Sequence, residues 1–123
     1  MPKKPTRKSL IAKLDKVFSE YIRRRYGDNA TCITCGKQDH WKKLQAGHFM
    51  SRKHYATRWD EENVEVQCMA CNVFRAGEQY KFSKYLGNEK SDMLLAKSRE
   101  TVKFPDWEIQ EMIDLYKTKI YSL

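Results

Sequence analysis

The chain has 123 residues, of which 33% are charged and 41% hydrophobic, and its formal net charge is +8. That length suits a single domain and is too short for an α/β barrel or a two-lobed enzyme. The hydrophobic fraction excludes a wholly disordered chain, and the longest apolar run, residues 93–96, is far below the ~18 residues that span a bilayer. Because the basic N-terminus also lacks the apolar stretch of a signal peptide, we expect a soluble cytoplasmic protein without a membrane partner.

Positive charge is concentrated in the first quarter of the chain, where residues 1–30 carry nine Lys and Arg against three Asp and Glu. Residues 1–8 are basic and precede any periodic apolar pattern, which predicts a flexible arm. Residues 23–25 are three consecutive arginines. This distribution favours a polyanionic partner, and nucleic acid is the commonest polyanion in a cell, although a solubilising tail would have the same composition.

The first predicted element is a helix that Ser9 caps at its N-terminus and Gly27 ends in a left-handed cap. Apolar residues recur along it every three or four positions, which predicts one buried stripe. The stripe consists of Leu10, Leu14, Val17, Phe18, Tyr21 and Ile22. Residues 28–43 are polar and rich in turn-forming residues, so we predict a loop there.

Two short strands are predicted further along the chain. Residues 44–50 are short and mixed in polarity, and residues 64–67 alternate apolar and polar side chains, as a half-buried strand does. The charged segment between them, residues 51–63, predicts a loop. Two short strands are too few for a core built on a sheet, so another feature must hold the middle of the chain together.

Helices are predicted for the rest of the chain. One spans about residues 71–86 and contains Gly77, which costs about 1 kcal/mol relative to alanine in a helix. The C-terminal helices lie within residues 91–121, with Ser91 as the cap of the first and Pro105 at the start of the last.

The four cysteines form two Cys-x-x-Cys pairs, which are Cys32, Cys35, Cys68 and Cys71. Two residues between thiolates let one tight turn direct both sulfurs at a single ion, and two such turns complete a tetrahedron around Zn²⁺. Disulfides explain the pairs less well in a reducing compartment, and a thioredoxin-like redox pair would explain only one of them. We therefore predict one structural Zn²⁺ per chain, which holds together a core of about residues 31–87.

The segment between the two pairs contains the residues on which the functional hypothesis depends. His48 ends the first predicted strand, Asn63 precedes the second, and Asn72 directly follows the last cysteine. A histidine, an asparagine and a further polar ligand bracketed by cysteine pairs is the pattern of an HNH, or ββα-metal, nuclease. The sequence thus predicts an α+β fold, in which a zinc-stapled HNH-like core lies between N-terminal and C-terminal helices in a single domain of residues 9–123.

The chain also resembles the NinG (Rap) family of lambdoid-phage recombination nucleases over roughly residues 8–90. The segments that carry the resemblance are Lys13–Arg23, Cys32–Gly36, Leu44–Arg52, Tyr55–Glu61, Asn63–Val64, Gln67–Cys68 and Cys71–Asn72. The resemblance implies a metal-dependent DNA endonuclease in the cytoplasm of a bacterial host, acting on branched recombination intermediates such as D-loops and Holliday junctions. It also implies products with a 5′-phosphate and a 3′-hydroxyl.

In the HNH architecture the histidine at the end of the strand is the general base, because a neutral imidazole with a pKa of about 6.5 can take a proton from water. His48 would have this role, and a structural histidine is the alternative. Asn63 would orient the His48 ring or the strand pairing, unless it is an ordinary turn residue. Asn72 would offer its amide oxygen to Mg²⁺ or Mn²⁺, with a simple helix cap as the alternative.

One position departs from the HNH pattern. Many HNH sites place a metal-binding Asp immediately before the base histidine, and here that position is Gly47. The missing oxygen could come from Asp60, Glu78, His54 or a backbone carbonyl. Asp60 and Glu78 are the first candidates for this further ligand.

Several basic side chains lie near the motif in sequence and are candidates for phosphate contacts, with plain solvated surface as the alternative. They are Arg23, Arg24, Arg25, Arg52, Lys53, Arg58 and Arg75. The competing function is a non-catalytic zinc-stabilised nucleic-acid-binding module, in which His48 and Asn72 are structural. A redox or metal-storage protein is disfavoured by the lack of further thiols. Symmetric cleavage of a four-way junction would require two active sites, which favours a homodimer. The last helix, residues 105–121, could supply its interface, and a surface helix that packs on its own domain is the alternative.

Overall fold

A computed structural model describes residues 3–123, which form two small antiparallel sheets surrounded by helices. Their bounds are α1 Arg7–Arg24, β1 Asn29–Thr31, β2 Gln38–His40, β3 Gln45–His48, α2 Tyr55–Arg58, β4 Val64–Gln67, α3 Gln79–Leu86, α4 Asn88–Ser98 and α5 Asp106–Tyr121. A 3₁₀ turn at Trp41–Lys43 and a π-helical turn at Ala70–Phe74 complete the regular structure. The predicted mixed α+β class is confirmed. None of the helices in this part of the chain is both long and apolar enough to cross a membrane.

The core is built on the packing of α1 against α5 and β4. The stripe of α1 buries Leu10, Leu14, Phe18 and Ile22, while Val17 and Tyr21 lie at its edge. From α5 and β4 come the buried side chains of Ile109, Ile113, Tyr116, Val64 and Val66. Each fully buried aliphatic or aromatic side chain of this size stabilises the fold by roughly 1.5–3 kcal/mol. The first and last helices therefore share one core.

Helix α1 begins earlier than the sequence predicts. Its N-cap is Thr6, whose hydroxyl oxygen accepts a hydrogen bond of 3.1 Å from the backbone N–H of Ser9, so the prediction of Ser9 as the cap is wrong by three residues. Arg7 lies in the helix and donates to the Asp106 carboxylate at 2.9 Å and to the Phe104 carbonyl at 2.7 Å. The predicted arm of residues 1–8 therefore does not extend beyond residue 5, and its first two residues lie outside the described part of the chain.

Two hairpins place the cysteine pairs side by side. Strands β3 and β4, which lie within the two predicted strands, pair antiparallel in the register Gln45 to Gln67 and His48 to Val64. Strands β1 and β2 pair as well, although the sequence predicts a loop over residues 28–43. The backbone N–H of Ile33 donates to the carbonyl of Val66 at 3.0 Å, which joins the turn of the first hairpin to β4.

The helix predicted over residues 71–86 is interrupted. The π-helical turn is followed by three residues in the left-handed region, Ala76, Gly77 and Glu78, and α3 begins only at Gln79. A hydrogen bond of 2.8 Å from the Gln67 side chain to the carbonyl of Gly77 fixes this break. The tertiary contact therefore overrides the local helical pattern.

The C-terminal helices differ from the prediction in one respect. Helix α4 begins at Asn88, directly after Gly87 has ended α3, so Ser91 is not its cap. The Ser91 hydroxyl instead donates to the carbonyl of Ser83 at 3.1 Å. Helix α5 begins immediately after Pro105, as predicted.

Candidate functional site

The four cysteine sulfurs lie within 4.8 Å of one another, with Cys32 and Cys35 supplied by the turn of the first hairpin, Cys68 by the residue after β4 and Cys71 by the π-helical turn. The Sγ atoms of Cys35 and Cys68 are 3.7 Å apart. Zinc–sulfur bonds of about 2.3 Å in a tetrahedron require sulfur–sulfur distances of about 3.8 Å. The cluster therefore fits a structural metal ion such as zinc, and the predicted convergence of the two pairs is confirmed.

The surroundings of the cluster shift the pKa values of two of its sulfurs in opposite directions. The backbone N–H of Lys37 lowers the pKa of Cys35, but burial and the three neighbouring sulfurs outweigh it and raise that pKa to about 12. Burial raises the pKa of Cys32, but hydrogen bonds from the Thr34 hydroxyl and from neighbouring backbone N–H groups outweigh it and lower the pKa to about 6. The guanidinium of Arg75 lies 3.7 Å from the sulfur of Cys71, and this contact raises the pKa of Arg75. Thiolates are the form that binds metal, so the arrangement is suited to coordination.

A cleft of about 730 Å³ lies over α1, β3 and the π-helical turn. Polar and charged side chains that line it include Asp15, Arg23, Gln45, His48, Arg52 and Asn72. The structure therefore brings His48 and Asn72 to one solvent-accessible site, although they are far apart in sequence.

His48 is held by a single main-chain contact. Its Nε2 lies 2.9 Å from the carbonyl oxygen of Arg58. A carbonyl can only accept, so Nε2 carries the hydrogen and Nδ1 keeps its lone pair. Burial lowers the pKa of His48, with a smaller contribution from the positive charge of Arg52, while the contact with Arg58 opposes the shift. The half-buried imidazole is therefore a neutral base near pH 7.

Arg58 is itself fixed by α1. Its Nε and Nη2 donate to the two carboxylate oxygens of Asp15 at 3.1 and 2.6 Å, and its Nη1 donates to the carbonyl of Arg52 at 2.8 Å. The indole N–H of Trp59 also donates to Asp15, at 3.0 Å. The hydrogen bonds that Arg58 donates to Asp15 raise the pKa of Arg58. The guanidinium of Arg58, one of the predicted phosphate contacts, is thus occupied within the protein.

Asn63 organises the segment that follows β3. It is fully buried, its Nδ2 donates to the carbonyls of Met50 and Thr57 at 3.0 Å each, and its Oδ1 accepts from the N–H of Met50 at 2.8 Å. Thr57 directly precedes Arg58, whose carbonyl holds His48. Asn63 makes no hydrogen bond to the His48 ring within the described chain, so it acts on the base only through the loop.

Asn72 is positioned by two contacts. Its backbone N–H donates to the carbonyl of Cys68 at 2.9 Å, and its Nδ2 donates to Oε1 of Gln45 at 2.7 Å. Within residues 3–123, Oδ1 of Asn72 has no hydrogen-bond partner. This half-buried carboxamide oxygen is the atom that a divalent cation in the cleft would use.

The carboxylates proposed as further metal ligands lie elsewhere. Asp60 is paired with Lys97 at 2.7 Å and Glu78 with Lys81 at 3.6 Å, and neither lines the cleft. His54, the other side chain considered, does not line it either. Of the carboxylates in the described residues, Asp15 alone lines the cleft, and its oxygens already accept from Arg58 and Trp59.

Gly47 has no room for a side chain. A Cβ at this position would overlap the side chain of Gln67, which is fully buried. The Nε2 of Gln67 donates to Thr34 at 3.2 Å and to Gly77 at 2.8 Å, while its Oε1 has no partner. Gln67 therefore fills the space that an aspartate at position 47 would need, a packing relation that no sequence pattern indicates.

The remaining basic residues divide into two groups. Arg25 is largely buried and pairs with Glu65 at 2.9 Å and Glu61 at 3.7 Å, so it belongs to the protein interior. Arg52 and Lys53 are exposed. The Arg23 and Arg24 guanidinium carbons lie 5.2 and 5.0 Å from the ring centroid of Trp41, and Nζ of Lys42, missed by the sequence analysis, lies at 5.8 Å. These cations form a basic surface that reaches the cleft at Arg23.

Comparison with known proteins is consistent with this arrangement. A family model described as "Bacteriophage Lambda NinG protein" matches residues 3–123. No match was found among curated proteins or among solved structures. The family match includes all of α4 and α5, whereas the sequence resemblance over residues 8–90 ends within the first turn of α4. Because it covers almost the whole chain, the protein belongs to the NinG family of bacteriophage lambda.

Proposed function

We propose that this protein is a metal-dependent DNA endonuclease of the HNH type that hydrolyses phosphodiester bonds in branched DNA. The proposal rests on one observation: an imidazole with a free Nδ1 and a carboxamide with a free Oδ1, those of His48 and Asn72, line one open cleft. His48 lies on β3, β4 pairs with β3, and Asn72 lies on the π-helical turn that follows β4. A ββα-metal core has its two strands and its helix in the same order. Membership of the NinG family supports the choice of branched DNA as substrate.

Each side chain has a defined part in the proposed reaction. His48 takes a proton from a water molecule at Nδ1, and the Arg58 carbonyl stabilises the imidazolium that forms. Asn72 would hold Mg²⁺ or Mn²⁺ through Oδ1, with Gln45 keeping the amide oriented. When bound, such an ion would stabilise charge on the phosphate and on the departing 3′ oxygen. Arg23 and Arg52 contact phosphates on the two sides of the cut.

The metal-binding residues fit a weakly held ion. Asn72 offers a neutral oxygen, Gly47 offers none, and Asp15 is engaged by Arg58 and Trp59. Mg²⁺ retains several waters and is commonly bound by few protein oxygens together with substrate phosphates. We therefore propose that the DNA itself supplies ligands, so that the ion binds tightly only in the complex.

The test is a cleavage assay on linear, flapped and four-way DNA with Mg²⁺ or Mn²⁺, using wild type and His48→Ala. General-base catalysis contributes about 10²–10⁴-fold, so we expect His48→Ala to lose cleavage by that factor and to bind DNA unchanged. His54→Ala is the matched control, since His54 lies outside the cleft and its side chain caps nothing. Equal cleavage by His48→Ala and wild type would contradict the proposal.

A second function is favoured by the lack of a free carboxylate in the cleft. A zinc-stabilised module that binds nucleic acid without cutting it would need the basic surface and the cysteine cluster but no metal ligand beside His48. If the protein is such a module, wild type would bind branched DNA in the same assay without cleaving it. Its affinity would be insensitive to Mg²⁺ beyond ordinary salt effects.

A further inference from the structure

Three apolar side chains are exposed around the π-helical turn, and we call them the rim patch. They are Met69, Val73 and Phe74, with exposed fractions of 53%, 55% and 77%. Asn72 and Ala76, which lie on either side of Phe74 in sequence, both line the cleft. Phe74 is therefore two positions along the chain from a cleft-lining residue on either side, and its ring is exposed to solvent.

The turn that carries the rim patch is fixed at both ends. Cys71 belongs to the metal cluster, and the N–H of Gly77 donates to its carbonyl at 2.8 Å. Ala76 and Glu78 have φ values of 49° and 50°, a left-handed conformation that non-glycine residues adopt under strain. Single π-helical turns and strained residues of this kind concentrate at functional sites. The chain thus holds a large apolar surface rigidly in solvent beside the cleft.

The charge around the rim patch indicates what it contacts. Residues 68–77 contain no Asp or Glu, and Arg75 lies directly after Phe74. The next acidic residue along the chain, Glu78, pairs with Lys81 at 3.6 Å. The basic side chains of Arg23 and Arg52 line the neighbouring cleft. A partner with a negative backbone and flat apolar faces matches this surface, and nucleic acid with accessible base faces has both properties. Continuous duplex DNA hides these faces by stacking, whereas a branch point opens them.

We infer that Phe74, supported by Val73 and Met69, stacks on bases opened at the branch point of the DNA and so selects branched over linear substrate. The inference rests on the proposed function for the identity of the nucleic acid. It assigns to the π-helical turn a binding role separate from the metal ligand Asn72 within the same turn.

The experiment uses a four-way junction with 2-aminopurine at the branch point, whose fluorescence increases when the base leaves its stacked neighbours. Wild type, Phe74→Ala and Phe74→Trp are compared with Trp107→Ala, which removes another exposed aromatic ring from α5. One base–aromatic stack corresponds to a factor of roughly five to one hundred in affinity. We expect Phe74→Ala to lose that factor on the junction but not on linear duplex, together with the fluorescence change. Phe74→Trp should retain both, and Trp107→Ala should behave as wild type.

The outcomes separate this inference from the proposed function. If Phe74→Ala binds and cleaves the junction like wild type and the fluorescence change persists, the inference is overturned while the endonuclease proposal stands. If wild type cleaves nothing but the fluorescence change depends on Phe74, the endonuclease proposal fails and the inference holds. If Phe74→Ala lost affinity equally for linear and branched DNA, the inference would also be overturned. Loss of a stacking contact at a branch point should not weaken binding to a continuous duplex.

Discussion

Asp15 of α1 and Arg58 of α2 form a doubly hydrogen-bonded ion pair, with Arg58 Nε and Nη2 at 3.1 and 2.6 Å from the two carboxylate oxygens. The carbonyl of the same arginine accepts from Nε2 of His48. A helix at the start of the chain thereby fixes the orientation of the candidate base without touching its Nδ1. Asp15 is in this sense a positioning residue.

We expect Asp15→Asn to slow cleavage by at least about tenfold, equivalent to ~1.4 kcal/mol of barrier, because its amide would present an N–H to Arg58 and loosen the His48 carbonyl contact. The negative charge of Asp15 also raises the pKa of His48, so its removal should shift the acidic limb of the pH–rate profile to lower pH. Glu20→Gln is the control on the same helix, since Glu20 pairs only with Arg24. An unchanged profile would leave Asp15 a purely structural role.

The pH dependence of cleavage follows from the lowered pKa of His48. Burial favours the neutral imidazole, so His48 is less protonated at any given pH than a free histidine would be. We expect single-turnover rates with saturating metal to fall on the acidic side with a midpoint below pH 6.5. The contribution of His48 to folding stability has the same direction of pH dependence. It is complete above pH 6.5 and is lost as the pH falls through the lowered pKa of His48. A rate that halves near pH 7 would contradict this assignment.

Gly47 and Gln67 should be energetically coupled. Gly47→Asp alone places a side chain onto Gln67 and should lower the free energy of unfolding by about 1–3 kcal/mol. Combined with Gln67→Ala, the new carboxylate has space, so the double variant should be more stable than the sum of the single effects predicts. A denaturant double-mutant cycle measures the coupling. Calorimetry should also show tighter Mn²⁺ binding by the double variant than by wild type, and equal affinities would show that position 47 does not face the ion.

Removal of the cluster metal should unfold the centre of the protein. Native mass spectrometry should find one zinc ion per chain, and a chelator should lower the melting temperature and release the ion. Cys35→Ser tests the same point with little loss of packing, because Cys35 is the exposed member of the cluster, and Gln38→Ser on β2 is the control. Two disulfides without metal in the purified protein would refute the assignment.

Glu61 links α5 to the segment before β4, and its contribution should depend on pH. Burial raises the pKa of Glu61, but hydrogen bonds from Lys119 and Tyr116, at 2.8 and 3.0 Å, outweigh it and lower the pKa below 4.5. The carboxylate therefore stabilises the fold above pH 4.5, and this stabilisation is lost as the pH falls through the lowered pKa. Glu61→Gln should melt below wild type at pH 7 and converge with it near pH 3. A constant difference would contradict the charge-based explanation.

Much of the secondary structure and the cysteine cluster could be predicted because the sequence patterns that indicate them are local. The apolar stripe of α1, the start of α5 after Pro105 and the alternation in β4 are periodic patterns, and the structure follows them. The convergence of the two cysteine pairs follows from coordination chemistry. These features require only a short window of sequence or a single metal ion.

The parts that could not be predicted depend on contacts between distant residues. The break between the π-helical turn and α3 is fixed by Gln67, and the state of Arg58 is fixed by Asp15, more than forty positions away. Arg25 looks like its exposed neighbours in sequence, but two glutamates hold it inside the protein. A single acidic or amide residue carries no periodic signal, so only the fold reveals its partner.

The shared core of α1 and α5 has a consequence for the order of events during synthesis. Ile109, Ile113 and Tyr116 complete the hydrophobic core that α1 begins, yet they are synthesised long after it. A nascent chain would already carry His48, Asn72 and all four cysteines without the packing that aligns them. Assembly of the cleft is thus coupled to the synthesis of α5, so that shorter nascent chains would lack the aligned site.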